Sequence, residues 1–229
     1  MRLIFLFVCT CFSLQISAQS QIDPKKLKFK PMFNGKNFKG WYSYLPTKGK
    51  NADPDSVFNI KDGLIHITGK EFGYIATEKS YSNFYMRLEF RWGTKKWPPR
   101  DADTTRRDNG ILFYVPVDAK DEVWQKSIEC QIQEGDVGDF WMIDSATIEF
   151  DGARTIPKDY QRAQKKKDGE KPTGEWNTVE IISNRGNIIY IVNGVKVNEG
   201  TNPSINSGRI IIQSEGAEIF YRKVEIAQL

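Results

Sequence analysis

Residues 127–141 read Ser-Ile-Glu-Cys-Gln-Ile-Gln-Glu-Gly-Asp-Val-Gly-Asp-Phe-Trp, and their spacing gathers acid and amide groups. On a β-strand successive side chains point to opposite faces. Ser127, Glu129, Gln131 and Gln133 therefore share one face, and Ile128, Cys130 and Ile132 the other. The apolar row suits a core. The polar row sets one carboxylate among carboxamides and runs into Glu134, Asp136 and Asp139. Such a row is a solvated face, a sugar-binding surface or a catalytic site. A retaining glycosidase needs two carboxyls about 5–5.5 Å apart. Positions i and i+4 of one strand lie roughly 13 Å apart, at about 3.3 Å per residue. Position i+4 from Glu129 is also an amide, Gln133, so paired-carboxylate chemistry along this strand is disfavoured.

Other residues offer further chemistry. Asp136 and Asp139, with Gly135 and Gly138 beside them, present oxygen ligands on a tight turn. A divalent ion such as Ca²⁺ could sit there, although the spacing is not that of a full calcium loop and a solvated acidic turn explains it as well. Nothing else in the sequence requires a cofactor. Trp124 and Trp141 are candidate stacking platforms for a sugar ring or ordinary core residues. Glu89 and Arg91 alternate on one strand face as groove residues or as a cross-strand ion pair. His66 is the one histidine and suits a hydrogen-bonded structural role. Cys130, on the apolar row, suits an inert buried thiol.

These residues need a scaffold, and strand signals dominate the chain. Tyr85–Trp92 alternates, with Met86, Leu88, Phe90 and Trp92 on one face and Arg87, Glu89 and Arg91 on the other. Residues 62–68, Gly110–Val115, Val179–Ile182, Ile188–Val192, Gly208–Gln213 and Ile219–Ile226 read as further strands, and Asn193-Gly194 is a hairpin turn. Thr94–Asp108 and the lysine-rich Arg154–Glu175 read as long loops, the second with room for one helical turn. Short strands punctuated by turns predict an all-β sandwich or jelly roll.

The first residues set the compartment. Arg2 precedes an apolar run over 3–14, followed by Gln-Ile-Ser-Ala-Gln-Ser, which reads as a secretory signal peptide over 1–18 and a single domain over 19–229. The run is shorter than the roughly 20 apolar residues of a membrane span. The mature domain is expected to be exported, periplasmic or extracellular, with no membrane contact after cleavage. Cys9 and Cys11 would leave with the signal, so Cys130 could form no internal disulfide. Net charge is +4. The basic cluster Lys165–Lys167 lacks interleaved aromatics and suits a solvated loop rather than a nucleic-acid surface.

The phrases FNGKNFKGW (33–41), GYIATEKSYSNFYMRLEFRW (73–92), DNGILFYVP (108–116), SIECQIQEGDVGDFW (127–141), GEWNTVEI (174–181), IVNGVKV (191–197) and GRIIIQSEGAEIFYRKVEI (208–226) together resemble the 3-keto-disaccharide hydrolase family. The resemblance spans the chain from about residue 30 to its end. It implies a concanavalin A-like jelly-roll sandwich of two antiparallel sheets. It also implies cleavage of glycosides already oxidised at sugar carbon 3, with an oxidoreductase upstream to make the ketone. A C3 ketone acidifies the C2 proton, and the enolate then expels the C1 substituent, with or without water re-addition. A divalent ion at the Asp136–Asp139 turn could assist such an enolate. The resemblance points to Glu129 as base, and to Gln131 and Gln133 as donors to the sugar. It marks Asn109, and more weakly Arg107, as substrate contacts. The family's histidine-bearing TGALY-like phrase is replaced by QEGDVGDFWMID, which has no histidine. A lectin-like carbohydrate-binding module is the alternative.

Overall fold

The computed structural model describes residues 22–229, so the signal peptide read over 1–18 lies outside the described residues. Two antiparallel sheets face each other. The groove sheet runs, edge to edge, Tyr160–Ala163, Phe140–Ile143, Ser127–Gln131, Gly110–Val115, Arg209–Ser214, Gly73–Thr77, Trp41–Leu45, Gly49–Lys50. The outer sheet runs Ala153–Arg154, Glu149–Phe150, Val195–Thr201, Asn187–Val192, Asn177–Asn184, Phe84–Lys96, Ala217–Gln228, Leu64–Ile67, Phe58–Lys61. Lys30–Pro31 pairs alongside Ala217–Gln228. One 3₁₀ turn, Pro24–Lys26, is the sole helix among the described residues, and no helix there is long and apolar enough to cross a membrane.

The alternation expected of Tyr85–Trp92 holds: Met86, Leu88, Phe90 and Trp92 are buried between the sheets, and Arg87, Glu89 and Arg91 are partly exposed. The Asn193-Gly194 turn takes positive φ at both positions (49° and 81°), the type I′ geometry that matches strand twist. The Arg154–Glu175 loop contains a strand instead of a helical turn. Its Tyr160–Ala163 segment pairs with Phe140–Ile143. Four residues carry too little periodicity to register as a strand, and here cross-strand pairing alone decides.

The strands Gly110–Val115 and Gly73–Thr77 are buried along their whole length. Ile111 and Phe113 enter the main core. On the other face Tyr42, Tyr74, Ala76, Leu112, Val115, Ile143 and Ile211 form a second apolar cluster. A strand covered on both faces needs no polar alternate, which is why these read as continuous apolar runs. The Pro116–Lys126 loop reaches across this second face. Its Asp121 accepts from Tyr74 (2.5 Å) and Tyr42 (3.2 Å), and Gln125 donates to the Tyr74 hydroxyl (2.6 Å).

Candidate active site

Strand register lays out the groove floor. Arg162, Trp141, Glu129 and Leu112 stand in one cross-strand row, with Gln131 opposite Gly110 in the next. Glu129 is buried at 5% exposure. Gly110 makes the space, since a Cβ there would collide with the Glu129 carboxylate and the Gln213 carboxamide. Two more acids converge from strand ends. Asp108 precedes Gly110–Val115, and Glu215 follows Arg209–Ser214; both are buried.

Of the three acids only Asp108 is ion-paired, to Arg100. Asp108 takes hydrogen bonds from Arg100, from Gln133 Nε2 (2.7 Å) and from the Asn109 N–H (3.0 Å). Burial raises its pKa to about 6 against the pull of Arg100 and these donors. Glu215 accepts only from Trp124 Nε1 (2.9 Å) among the described residues. Burial, then the charge of Asp108, pushes it up to about 8. Among the described residues Glu129 has no donor, and burial followed by the charges of Glu215 and Asp108 holds its pKa well above the usual carboxylate range. Burial and mutual repulsion oppose ionising the three acids together, and Asp108, with Arg100 and two further donors, is the one whose surroundings best support a negative charge.

Unpaired polar groups mark the same floor. Both side-chain polar atoms of Gln213, and Nε1 of Trp141, are buried without a hydrogen-bond partner. Buried polar atoms are rarely left so, and beside a groove they can serve a ligand's hydroxyl or carbonyl oxygens. Gln131 spends Oε1 on the Ile132 N–H (3.0 Å).

Several residues expected in the site lie elsewhere. Glu89 and Arg91 stand on the exposed face of the outer sheet. Glu89 is ion-paired to Arg222 and Lys223, and Arg91 lies over Trp176 and Phe220. Equal alternation on both sheets hid which one forms the groove. Asn109 is fully buried, donating to the Gln213 carbonyl and accepting from Tyr221 (2.5 Å), so it ties strands together and meets no substrate. Arg107 is held by Glu134 (2.8 Å). Asp136 and Asp139 do not fit a metal site. Arg162 bridges both, Arg106 binds Asp136 (2.8 Å), and the Lys165 N–H binds Asp139 (2.8 Å). Their lone pairs serve guanidinium and amide donors. Among the described residues no cluster of three or more His, Cys, Asp or Glu is arranged to hold a metal. Cys130 is a free buried thiol, and His66 is bonded to Asn59 and Glu218 (2.9 Å each).

The model of the 3-keto-alpha-glucoside-1,2-lyase-like domain matches residues 28–227. The chain belongs to that family. This lyase-like domain shares its fold with solved structures at low identity. A candidate glycosyl hydrolase from Parabacteroides distasonis is 17% identical at TM-score 0.62, with 88% of this chain and 94% of that one covered. A Bacillus licheniformis β-glucanase is 9% identical at 0.53, covering 88% and 97%. The carbohydrate-binding module CBM66 from Bacillus subtilis is 9% identical at 0.51, covering 82% and 96%. No protein of curated function matches the chain. The fold is the jelly roll expected, and family membership makes this a carbohydrate-active domain.

Asp108, Glu215 and Gln213 join the lyase-like site from positions that strand periodicity does not single out. Asp108 and Glu215 lie in turns, and Gln213 ends an apolar run. Gly110→Ala tests the arrangement. The atoms a Cβ would displace are the ends of the Glu129 and Gln213 side chains. The variant should fold at a cost of about 1–3 kcal/mol, the usual penalty for overpacking a buried site, and lose roughly 10²-fold in kcat/KM through misplacement. Steady-state kinetics beside a thermal melt reads both.

Proposed function

We propose that this domain cleaves 3-keto-glycosides by removing the C2 proton and expelling the C1 substituent. The enone is released as such or takes up water to complete a net hydrolysis. The observation that carries this is the set of three buried acids at one place, of which Asp108 alone is ion-paired, to Arg100, while Glu215 accepts from Trp124. Such a difference in surroundings within one site assigns acid and base. Asp108, ionised at neutral pH, takes the C2 proton. Glu129, proposed from its strand position as a base, instead keeps its proton and donates to the ketone oxygen as it becomes an enolate, with Gln213 and Trp141 as further donors. Glu215 gives its proton to the departing glycosidic oxygen. The C2–H and C1–O bonds break, the ring becomes an enone, and the leaving group departs as an alcohol. Gln131 and Gln133 orient the sugar and Asp108 respectively. The substrate must come from an oxidoreductase acting at C3, and we place the mature protein outside the cytoplasm.

The test is to incubate the protein with a 3-keto-glucoside in D₂O. Release of the alcohol with deuterium at C2 of recovered ketone or hydrated product is expected. Release from the unoxidised glucoside instead would overturn the reaction class in favour of direct hydrolysis. Binding without release would favour the carbohydrate-binding module.

A further inference from the structure

A cleft of about 430 Å³ reaches the acid cluster only through Trp124, and is lined by Trp124, Gln125, Ile143 and Tyr160 together with five charged side chains. Trp124 is 39% exposed and Tyr160 51% exposed, unusual for large rings in a packed sandwich. Their rings stand at right angles, centroids 6.0 Å apart, and Phe72 braces the Trp124 ring from another side at 6.1 Å. The cleft is therefore walled by two exposed aromatic surfaces meeting in a corner.

Register fixes where this corner lies. Ile143 pairs with Ser127 and with Tyr160, and Trp141 pairs with Glu129 and with Arg162. The cleft is thus displaced from Glu129 by two residues along the strands, about 7 Å at about 3.3 Å per residue. That is the order of one hexose ring. The same Trp124 whose ring faces the cleft donates its indole N–H to Glu215, so one residue touches both the cleft and an acid of the cluster.

Resting on the proposed cleavage, we infer that the Trp124–Tyr160 corner is the leaving-group subsite, taking an aglycone that presents a ring with an apolar face. A sugar ring stacks its C–H face on an aromatic, and an alicyclic or aromatic ring does the same. Trp124 then serves as a positioning residue, because it holds Glu215 where the departing oxygen lies. Specificity would reside in Tyr160 and Trp124, not in the acids.

Three 3-keto-glucosides that differ only in the aglycone test this: methyl, cyclohexyl and glucosyl. Cyclohexanol is no better a leaving alcohol than methanol, so a cyclohexyl preference reads binding. The glucosyl rate is compared with its uncatalysed elimination to remove the effect of its more acidic hydroxyl. The wild type should favour the ring-bearing substrates over methyl by about 10-fold or more in kcat/KM. A preference for glucosyl alone identifies a sugar subsite, and an equal preference a general ring subsite. Tyr160→Ala should collapse the preference, the ring-bearing substrates losing far more in kcat/KM than the methyl one. An unchanged preference in Tyr160→Ala overturns the subsite. If no 3-keto-glucoside is cleaved, the proposed reaction fails but the subsite is still judged. Tryptophan fluorescence is then titrated with cyclohexyl glucoside. Quenching that disappears in Trp124→Phe and weakens in Tyr160→Ala sustains it, and no quenching overturns it.

Discussion

Asp108→Asn is expected to lower kcat/KM on a 3-keto-glucoside by about 10²–10⁴-fold, the usual contribution of a positioned general base, and to abolish deuterium exchange at C2. The substitution keeps the shape of the side chain and the acceptor for Arg100, but leaves no carboxylate to take a proton. A loss of leaving-group release alone, with exchange retained, would place the base elsewhere. Glu129 supplies the counter-test. Among the described residues its carboxyl has no donor, and burial and two acidic neighbours favour its protonated form, so the proposed role is that of hydrogen-bond donor. Glu129→Gln retains an N–H donor at that position and should keep much of the activity, whereas Glu129→Leu should lose about 10²–10³-fold, the effect of deleting one oxyanion donor. If Glu129→Gln also ends C2 exchange, Glu129 is the base and the roles of the two acids are reversed. Circular dichroism on each variant separates these effects from unfolding. Asp108→Asn leaves the Arg100 guanidinium without its carboxylate and is expected to be somewhat less stable.

What was legible in the sequence follows from what period-two alternation can encode. The Ser127–Gln131 strand announces its own two faces, so Glu129 and Gln131 fall on the groove side as expected. The alternation of Tyr85–Trp92 is equally clear, yet it cannot say that its polar face lies on the opposite sheet from Glu129. Glu89 and Arg91 therefore read equally as groove residues or as a cross-strand ion pair, and Glu89 is the second, paired with Arg222 across the strands. Periodicity gives a strand its sides, and only pairing order gives the sheet. Asp108 and Glu215 were less legible still. Each sits where a strand gives way to a turn, and in sequence a turn carboxylate looks like any solvated one. Their burial comes from elements far along the chain, since Arg100 and Gln133 cover Asp108 and Trp124 covers Glu215. The Asp136–Asp139 turn misled in the opposite sense. Its acids resemble cation ligands until Arg162, from a strand too short to read, supplies their counter-charge.

The acid cluster also fixes how activity and stability should respond to pH. Catalysis needs Asp108 ionised and Glu215 protonated. Activity should therefore rise through about 6 and fall through about 8, a bell whose limbs belong to the coupled cluster rather than to isolated groups. Glu215→Gln cannot lose a proton and should remove the alkaline limb while lowering the maximum, most of all for poor leaving groups. Stability runs in a definite direction. Glu215 has a folded pKa of about 8, above its ordinary value, so the folded state holds the proton more tightly than the unfolded chain does. Stability from that group is full below its unfolded pKa and is lost as pH rises through the folded one. Wild type and Glu215→Gln should thus melt alike near pH 4. The variant should become more stable on going to pH 8, by a few kcal/mol. Melting curves at the two pH values measure this directly, and a variant that is less stable than wild type at pH 8 would mean that Glu215 is ionised and paired in the resting protein. The same desolvation that weakens the fold at neutral pH keeps protons on Glu129 and Glu215. A groove floor relieved of that strain would have three solvated carboxylates and no acid to protonate a leaving group.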